Sequence, residues 1–310
     1  MVKDLLYYLI FPGFIFIAVV GGLLVGLDRK LSAWFQFRKG PPLIQPFYDF
    51  LKLLLVKETI LPPRGSIITF LAAPVFSITG AALSGIMILL PAFNYSSGFG
   101  GDIIVIFYLL AIPSFTYILG ALAAGNPLAS IGASREMKLI ISYELTFLLT
   151  LAAIIMKAGM AIRLNEIIQV QITQGSFIGS ISGILLFIVL IFCIQAKLGL
   201  VPFDMAEAET EINHGAFIEY SGSAYALIKL AKYMMMFILP AFACIMLLGG
   251  MHMDGIHILW TILKILGVVL LITLIRNTNP RIRIDQAMRF FFVWMNLLVI
   301  IAIVLILFGL

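Results

Sequence analysis

The chain has 310 residues, 62% of them hydrophobic and 11% charged, with a formal net charge of +5 and a mean hydropathy of +1.13. A soluble domain carries roughly 25% charged residues, so no water-soluble core can bury this much apolar side chain. A bilayer can act as its solvent, and the chain reads as one polytopic all-α integral membrane domain over 1–310, with about eight transmembrane helices and no soluble domain.

A spanning helix needs about 20 apolar residues. The first such run is 5–27. It is too long for a signal-peptide core, and no small-residue cleavage site follows it, so it reads as a membrane helix. Loop one, 28–66, is the longest connection. Within it Phe47, Phe50, Leu51, Leu54 and Leu55 share one face of the stretch Pro46–Glu58, while Asp49, Lys52 and Lys57 lie elsewhere. That stretch is too short and too charged to span; it fits a helix on the membrane surface or one packed under a partner subunit. Further spans are expected at 67–91, 103–124, 138–156, 178–200, 224–249, 257–275 and 287–309. Turn signals separate them: Pro62-Pro63, Ser96–Gly101, Gly125-Asn126-Pro127, Gln174-Gly175 and Asn277–Pro280. Cys193 and Cys244 lie in apolar runs without metal-ligand spacing and read as buried small hydrophobes.

Basic residues set the expected orientation. Arg29, Lys30, Arg38, Lys39, Lys52, Lys57, Arg64, Arg135, Lys138, Lys197, Arg276, Arg281, Arg283 and Arg289 all fall in odd-numbered loops. Only Lys3, Lys157 and Arg163 fall in the N-terminal tail and the even-numbered loops. The positive-inside rule then puts loops one, three, five and seven in the cytoplasm and both termini outside.

Loop five is the most unusual segment. Asp204, Glu207, Glu209, Glu211 and Glu219 lie between Lys197 and Lys229 with no Lys or Arg among them. Part of this fits helix capping: Pro202, then Asp204 and Glu207 at capping-box spacing, with Gly215 to end the helix. Capping does not need Glu209, Glu211 or Glu219, and Glu207 and Glu211 repel at four-residue spacing. Clustered carboxylates in a partly dry cavity have raised, coupled pKa values and can exchange protons near neutrality. Inside the expected helices stand Glu144, Lys229 and Lys232, the lysines on one face with Tyr225. Groups at that depth need a partner or water, unless they snorkel to the interface. Lys264, toward the outer side, is ambiguous. His214, His252 and His257 lack metal-ligand spacing, and no phosphate loop, CxxC pair or nucleophile motif is present. Any redox chemistry must come from partner subunits.

Taken together, these segments resemble the membrane-anchor subunit family shared by respiratory complex I (its H subunit) and the group 4 membrane-bound NiFe hydrogenases. The matching stretches run in order over nearly the whole chain: Asp28-Arg-Lys-Leu-Ser-Ala-Trp-Phe-Gln-Phe-Arg-Lys-Gly-Pro41, Gln45-Pro-Phe-Tyr-Asp49, Lys52 to Glu58, Gly132-Ala-Ser-Arg-Glu136, Ser142-Tyr-Glu144, Pro202-Phe-Asp-Met-Ala-Glu-Ala-Glu-Thr-Glu211 and Glu219-Tyr220. The resemblance implies a subunit without cofactors that clamps a peripheral electron-transfer arm to ion pumps in the membrane. It implies that Glu207, Glu209, Glu211 and Glu219 couple the two arms, and that Glu144 lies on the path inward. Arg29, Arg38, Asp49, Arg135 and Glu136 would form the junction beneath the peripheral arm. The implied partners are large and small iron–sulfur subunits, one with a NiFe centre, and antiporter-like membrane subunits; no nucleic acid is involved. Gly40-Pro41-Pro42 runs almost directly into Gln45-Pro46, and Lys232 precedes Tyr233 where quinone-using members usually carry an acid. Both features resemble the hydrogenase branch and favour ferredoxin as electron donor in a prokaryotic inner membrane. The competing readings are a quinone-site subunit of a complex I-type enzyme and a secondary transporter.

Overall fold

The structure, a computed structural model, describes residues 7–93, 102–207, 209–251, 255 and 257–309. Among the described residues every regular element is a helix. Chain order gives α1 (Phe14–Phe35), α2 (Gln45–Leu55), α3 (Ile67–Ala92), α4 (Asp102–Ala123), α5 (Pro127–Lys157), α6 (Leu164–Gln174) and α7 (Ile181–Lys197). It continues with α8 (Glu209–Ile212), α9 (Gly222–Leu247), α10 (His257–Thr278), α11 (Ile284–Arg289) and α12 (Asn296–Leu307), the last two joined by a π-helical stretch, Phe290–Met295. Seven of these helices, with α11 to α12 counted as one, are long and apolar enough to cross a membrane. The eighth expected span is the shorter α7, 17 residues and so roughly 26 Å long.

The helices overlap the apolar runs and differ from them at their ends; α1 runs on to Phe35, so Asp28, Arg29 and Lys30 ride on it rather than in loop one. The expected span 138–156 is a helix that begins at Pro127. Asn126 caps it by accepting the Leu128 N–H at 2.9 Å, and a proline suits the first helical position. Arg135, Glu136 and Lys138 therefore ride on the helix rather than in a loop. Between α5 and α7, where the sequence pattern predicts only a connection, the chain forms α6. Its cap comes from another helix: Asp102 Oδ1 of α4 accepts the Leu164 N–H at 2.9 Å.

Loop five also departs from expectation. No capped helix starts at Asp204. Residues 201–207 form turns, and among the described residues of the loop only Glu209–Ile212 is α-helical, with a 3-10 turn at Gly215–Phe217. The Asp204 and Glu207 carboxylates bond to Arg281 and Lys232 instead of to nearby backbone, so neither half of a capping box is available.

Helix α9 is the most buried of the seven long helices and packs against α1, α2, α3, α7 and α10. Loops one, three, five and seven meet on one side of the bundle. Ile60 N–H donates to Ser221 Oγ at 2.9 Å, and Gln36 Nε2 donates to Asn277 Oδ1 at 3.1 Å. Loop five lies against α5 at Gly132, where a Cβ would stand 2.5 Å from the Ala216 nitrogen. Loop one crosses the start of α9 at Gly222, with φ +54°, where a Cβ would stand 2.6 Å from the Glu58 carbonyl.

Candidate functional site

The last turn of α7 turns an apolar helix into a charged site. Gln195 Nε2 donates to Val201 O at 2.6 Å and fixes the reversal into loop five. Lys197 then points back into the bundle. Its ammonium pairs with Glu144 Oε1 of α5, and none of its side chain is exposed. It lies 4.7 Å from the Phe147 ring centre and 5.3 Å from that of Tyr143. The Tyr143 hydroxyl donates to Ser114 Oγ at 3.1 Å. The other Glu144 oxygen, Oε2, is buried and has no hydrogen-bond partner among the described residues. A buried ion pair survives only where geometry and extra contacts offset desolvation; here the aromatic faces supply part of that. In the sequence Lys197 is only one of the basic residues that orient loop five. No local pattern links it to Glu144, 53 residues earlier.

The loop-five acids do not form one cluster. Each described carboxylate turns to a partner outside loop five. Asp204 Oδ2 meets Arg281 Nη2 of the α10–α11 loop at 2.8 Å, and burial pushes its carboxyl up to about 6 against the pull of Arg281. Glu207 pairs with Lys232 of α9. Glu211 Oε2 meets Arg135 Nη1 of α5 at 2.6 Å, with more than half the glutamate exposed. Glu219 accepts from Asn126 Nδ2, the α5 cap. Phe70 stacks on the adjoining Tyr220 at 4.1 Å, and the Tyr220 hydroxyl donates to Phe70 O at 3.0 Å. Glu209 opens α8; its side chain is outside the described residues.

Phe203 places the start of the loop, packing 4.9 Å from Phe291 in the π-helical stretch. Thr146 Oγ1 of α5 lies 3.3 Å from Phe291 O, one of the carbonyls in that stretch. π-Bulges frequently mark functional sites.

Two cavities meet at the Glu207–Lys232 pair. One, of about 30 Å³, is lined by Tyr117, Glu136, Lys197, Asp204, Glu207 and Lys232 among others, and has room for one or two waters. Glu136, expected at the junction beside Arg135, is nine-tenths buried and lines this cavity instead. The second, of about 180 Å³, is lined by Asp28, Arg29, Glu207, Lys232, Tyr233 and Arg276 among others. Asp28 is buried, pairs with Arg276 and accepts from Thr273 Oγ1 at 2.8 Å. In the sequence Asp28 only opens one of the matching stretches, and nothing local points to its burial.

At the loop-one side, Arg29 Nη1 meets Asp49 Oδ2 of α2 at 2.8 Å, and Gln45 Nε2 donates to Asp49 Oδ1 at 3.0 Å. Burial works to raise the Asp49 carboxyl, but the Arg29 and Gln45 hydrogen bonds and the Arg29 charge outweigh it, so it sits below its ordinary value. Lys229 packs 4.9 Å from the Tyr225 ring centre and stands within electrostatic range of Asp49. Arg38 is exposed, next to Phe37, which is 99% exposed with φ 55°. Lys264 Nζ reaches the Gly250 carbonyl at 3.4 Å on the other side of the bundle. His214 adopts φ 69°, His257 begins α10, and His252 is outside the described residues. Both cysteines are buried free thiols, and among the described residues no three His, Cys, Asp or Glu side chains are grouped to hold a metal.

Comparison with known proteins fits this architecture. The family model described as NADH dehydrogenase matches residues 8–307. The H subunit of the NADH-quinone oxidoreductase of Dehalococcoides mccartyi (strain CBDB1) is 33% identical over 299 residues, 92% of this chain and 81% of that protein. The H subunit of the Brevibacillus brevis enzyme is 33% identical over 302 residues, 91% of this chain and 87% of that protein. A chain in the solved structure of the membrane-bound sulfane sulfur reductase, an archaeal respiratory membrane complex, superposes with a TM-score of 0.85. It is 25% identical, and the match covers 94% of this chain and 96% of that one. The chain is thus a multi-pass membrane protein of the NADH dehydrogenase family, to which the complex I H subunit belongs.

Proposed function

We propose that the chain is the membrane-anchor and coupling subunit of an ion-translocating, ferredoxin-oxidising complex of the membrane-bound hydrogenase or sulfur-reductase type. It links a peripheral electron-transfer arm to ion pumps in the membrane. The observation that carries this reading is the series of charged groups leading inward from loop five: Glu207 with Lys232, then Glu136 at a water-sized cavity, then Lys197 with Glu144. Ionisable groups inside a membrane bundle are costly and mark ion paths by default. The match to the sulfane sulfur reductase chain over almost its full length supports the branch.

In this reading the whole chain is one membrane unit in a prokaryotic inner membrane, with both termini outside. Loops one, three, five and seven face the cytoplasm and dock the peripheral arm. Exposed Phe37 and Trp34 beside Arg38 and Lys39 give loop one an apolar knob with a basic rim, suited to a soluble partner. Arg29, Asp49, Arg135 and Glu211 hold the docking loops in place. The chain holds no cofactor; iron–sulfur clusters, and a NiFe centre in the hydrogenase form, sit in the large and small peripheral subunits. Antiporter-like subunits lie alongside in the bilayer.

A second reading rests on the curated relatives, which are subunits of NADH-quinone oxidoreductases. It makes this chain a quinone-site subunit. Family membership sets aside a secondary transporter. One experiment separates the two that remain. A tagged chain is purified from native membranes under mild detergent, and its partners are identified. Iron–sulfur subunits that oxidise reduced ferredoxin and build an ion gradient in vesicles support the proposal. Ferredoxin-independent quinone reduction by the purified complex overturns it in favour of the second reading. Crosslinks from Arg38 and Glu209 to a soluble subunit test the docking side; crosslinks from the even-numbered loops would reverse the topology.

A further inference from the structure

The two cavities share four lining residues: Leu198, Gly199, Glu207 and Lys232. The Glu207–Lys232 pair, with Leu198 and Gly199, therefore forms the wall between an open crevice of about 180 Å³ and the inner cavity of about 30 Å³. Lys232 is held at this wall from three sides. Its ammonium pairs with Glu207, lies 4.4 Å from the Phe217 ring centre, and lies 5.6 Å from that of Tyr117.

On the inner side a second carboxylate is within electrostatic reach. Glu136 of α5 lines the same cavity, is 9% exposed, and forms no ion pair among the described residues. Lysine carries its charge on a flexible stem with three donors, so it can change partners by side-chain rotation alone. Glu207 sits on turns at the end of a loop, whereas Glu136 sits on a long helix. One partner is carried by a loop and the other by a helix.

We propose that Lys232 is a two-position gate, exchanging between Glu207, which closes the inner cavity from the crevice, and Glu136, which opens it and releases loop five. The proposal rests on the coupling reading above and assigns the moving part within it. The charges facing Lys232 set the balance. In the inner cavity these are Glu207, Glu136, Asp204 and Lys197; in the crevice they are Asp28, Arg29 and Arg276; Lys229, one turn earlier on α9, adds a like charge. When Glu136 is ionised, it competes with Glu207 for the ammonium. When Glu136 takes a proton, the ammonium returns to Glu207 and ties loop five to α9. Loop position and the protonation of a buried acid thus become one equilibrium, the kind of bistable element that coupling requires. An acid at position 232 could not act this way, because it would repel both carboxylates.

The test uses the assembled complex. Structures of the Glu207→Gln and Glu136→Gln variants are determined, and the ion-to-electron ratio is measured in vesicles alongside Glu144→Gln. In Glu207→Gln the Lys232 ammonium should move into ion-pair contact with Glu136; in Glu136→Gln it should stay on the loop-five side. Both variants should lower the ratio. Glu207→Asp, which keeps the charge one methylene further back, should give both lysine positions and covers the case in which the amide fails to assemble. If Lys232 stays away from Glu136 in Glu207→Gln and Glu207→Asp, the gate is wrong. A ratio that falls in Glu144→Gln but in neither of the other two also overturns the gate, and it leaves the coupling reading standing. A ratio unchanged in all three overturns both.

Discussion

Lys197 and Glu144 lie 53 residues apart and form an ion pair in which none of the lysine side chain reaches solvent. Removing one member of such a pair strands the other charge, at a cost of about 3–5 kcal/mol. Glu144→Gln and Lys197→Met should each lower the thermal midpoint of the purified complex substantially. The double variant should recover most of that loss, because neither charge is then left alone, yet its ion-to-electron ratio should stay low. A double variant that restores both quantities would show that the pair only holds the bundle together.

Asp204 should titrate near neutrality. Burial lifts its carboxyl from 3.8 to about 6, and Arg281 works against the lift. Because the folded value is the higher one, this group's contribution to stability falls as pH rises from its ordinary value to about 6 and is level above that. An infrared carboxyl band should disappear as pH passes upward through about 6, and Asp204→Asn should lack it. Arg281→Gln should move the titration to higher pH. A band that does not respond to Arg281→Gln would assign the titration to another group.

The loop-five acids should act separately. Glu211 and Arg135 are partly exposed, and pairs of that kind are worth less than about 1 kcal/mol. Glu211→Gln should therefore change assembly and ion-to-electron ratio little, whereas Glu207→Gln should lower the ratio. With different partners on different sides of the loop, the two effects should add. Strong non-additivity in the double variant would restore the picture of one coupled cluster.

The seat of loop five on α5 depends on a missing side chain. A Cβ at Gly132 would stand 2.5 Å from the Ala216 nitrogen, so backbone must move. Gly132→Ala should cost about 1–3 kcal/mol and disturb the Glu207 and Glu219 contacts. Gly267, in α10, has nothing within 4 Å of the place a Cβ would take and serves as the control. Gly267→Ala should be neutral or stabilising by about 0.5–1 kcal/mol, as alanine favours a helix interior. Equal thermal midpoints for the two variants would show that the contact at Gly132 is not tight.

The amphipathic stretch in loop one and the apolar runs were legible because each is a local pattern. Phe47, Phe50, Leu51 and Leu54 recur at helical spacing, and the structure gives α2 at Gln45–Leu55. Helix α6 was not legible, because its cap is Asp102, 62 residues earlier. The loop-five acids were legible as unusual, but their arrangement was not. Spacing in sequence suggested mutual repulsion, and each described carboxylate instead found a partner on another helix or loop.

By itself the sequence determined that this is an all-helical membrane protein, where most spans lie, which loops share a side, and which family it belongs to. Those properties follow from hydrophobic length, from charge asymmetry and from motifs in fixed order, all of which are read along the chain. Only the tertiary structure decided which charge meets which. Lys197 to Glu144, Lys232 to Glu207, Arg276 to Asp28 and Arg281 to Asp204 are contacts between distant elements. A charge inside an apolar bundle must be matched in space, and the partner that matches it is set by helix packing rather than by neighbours in sequence.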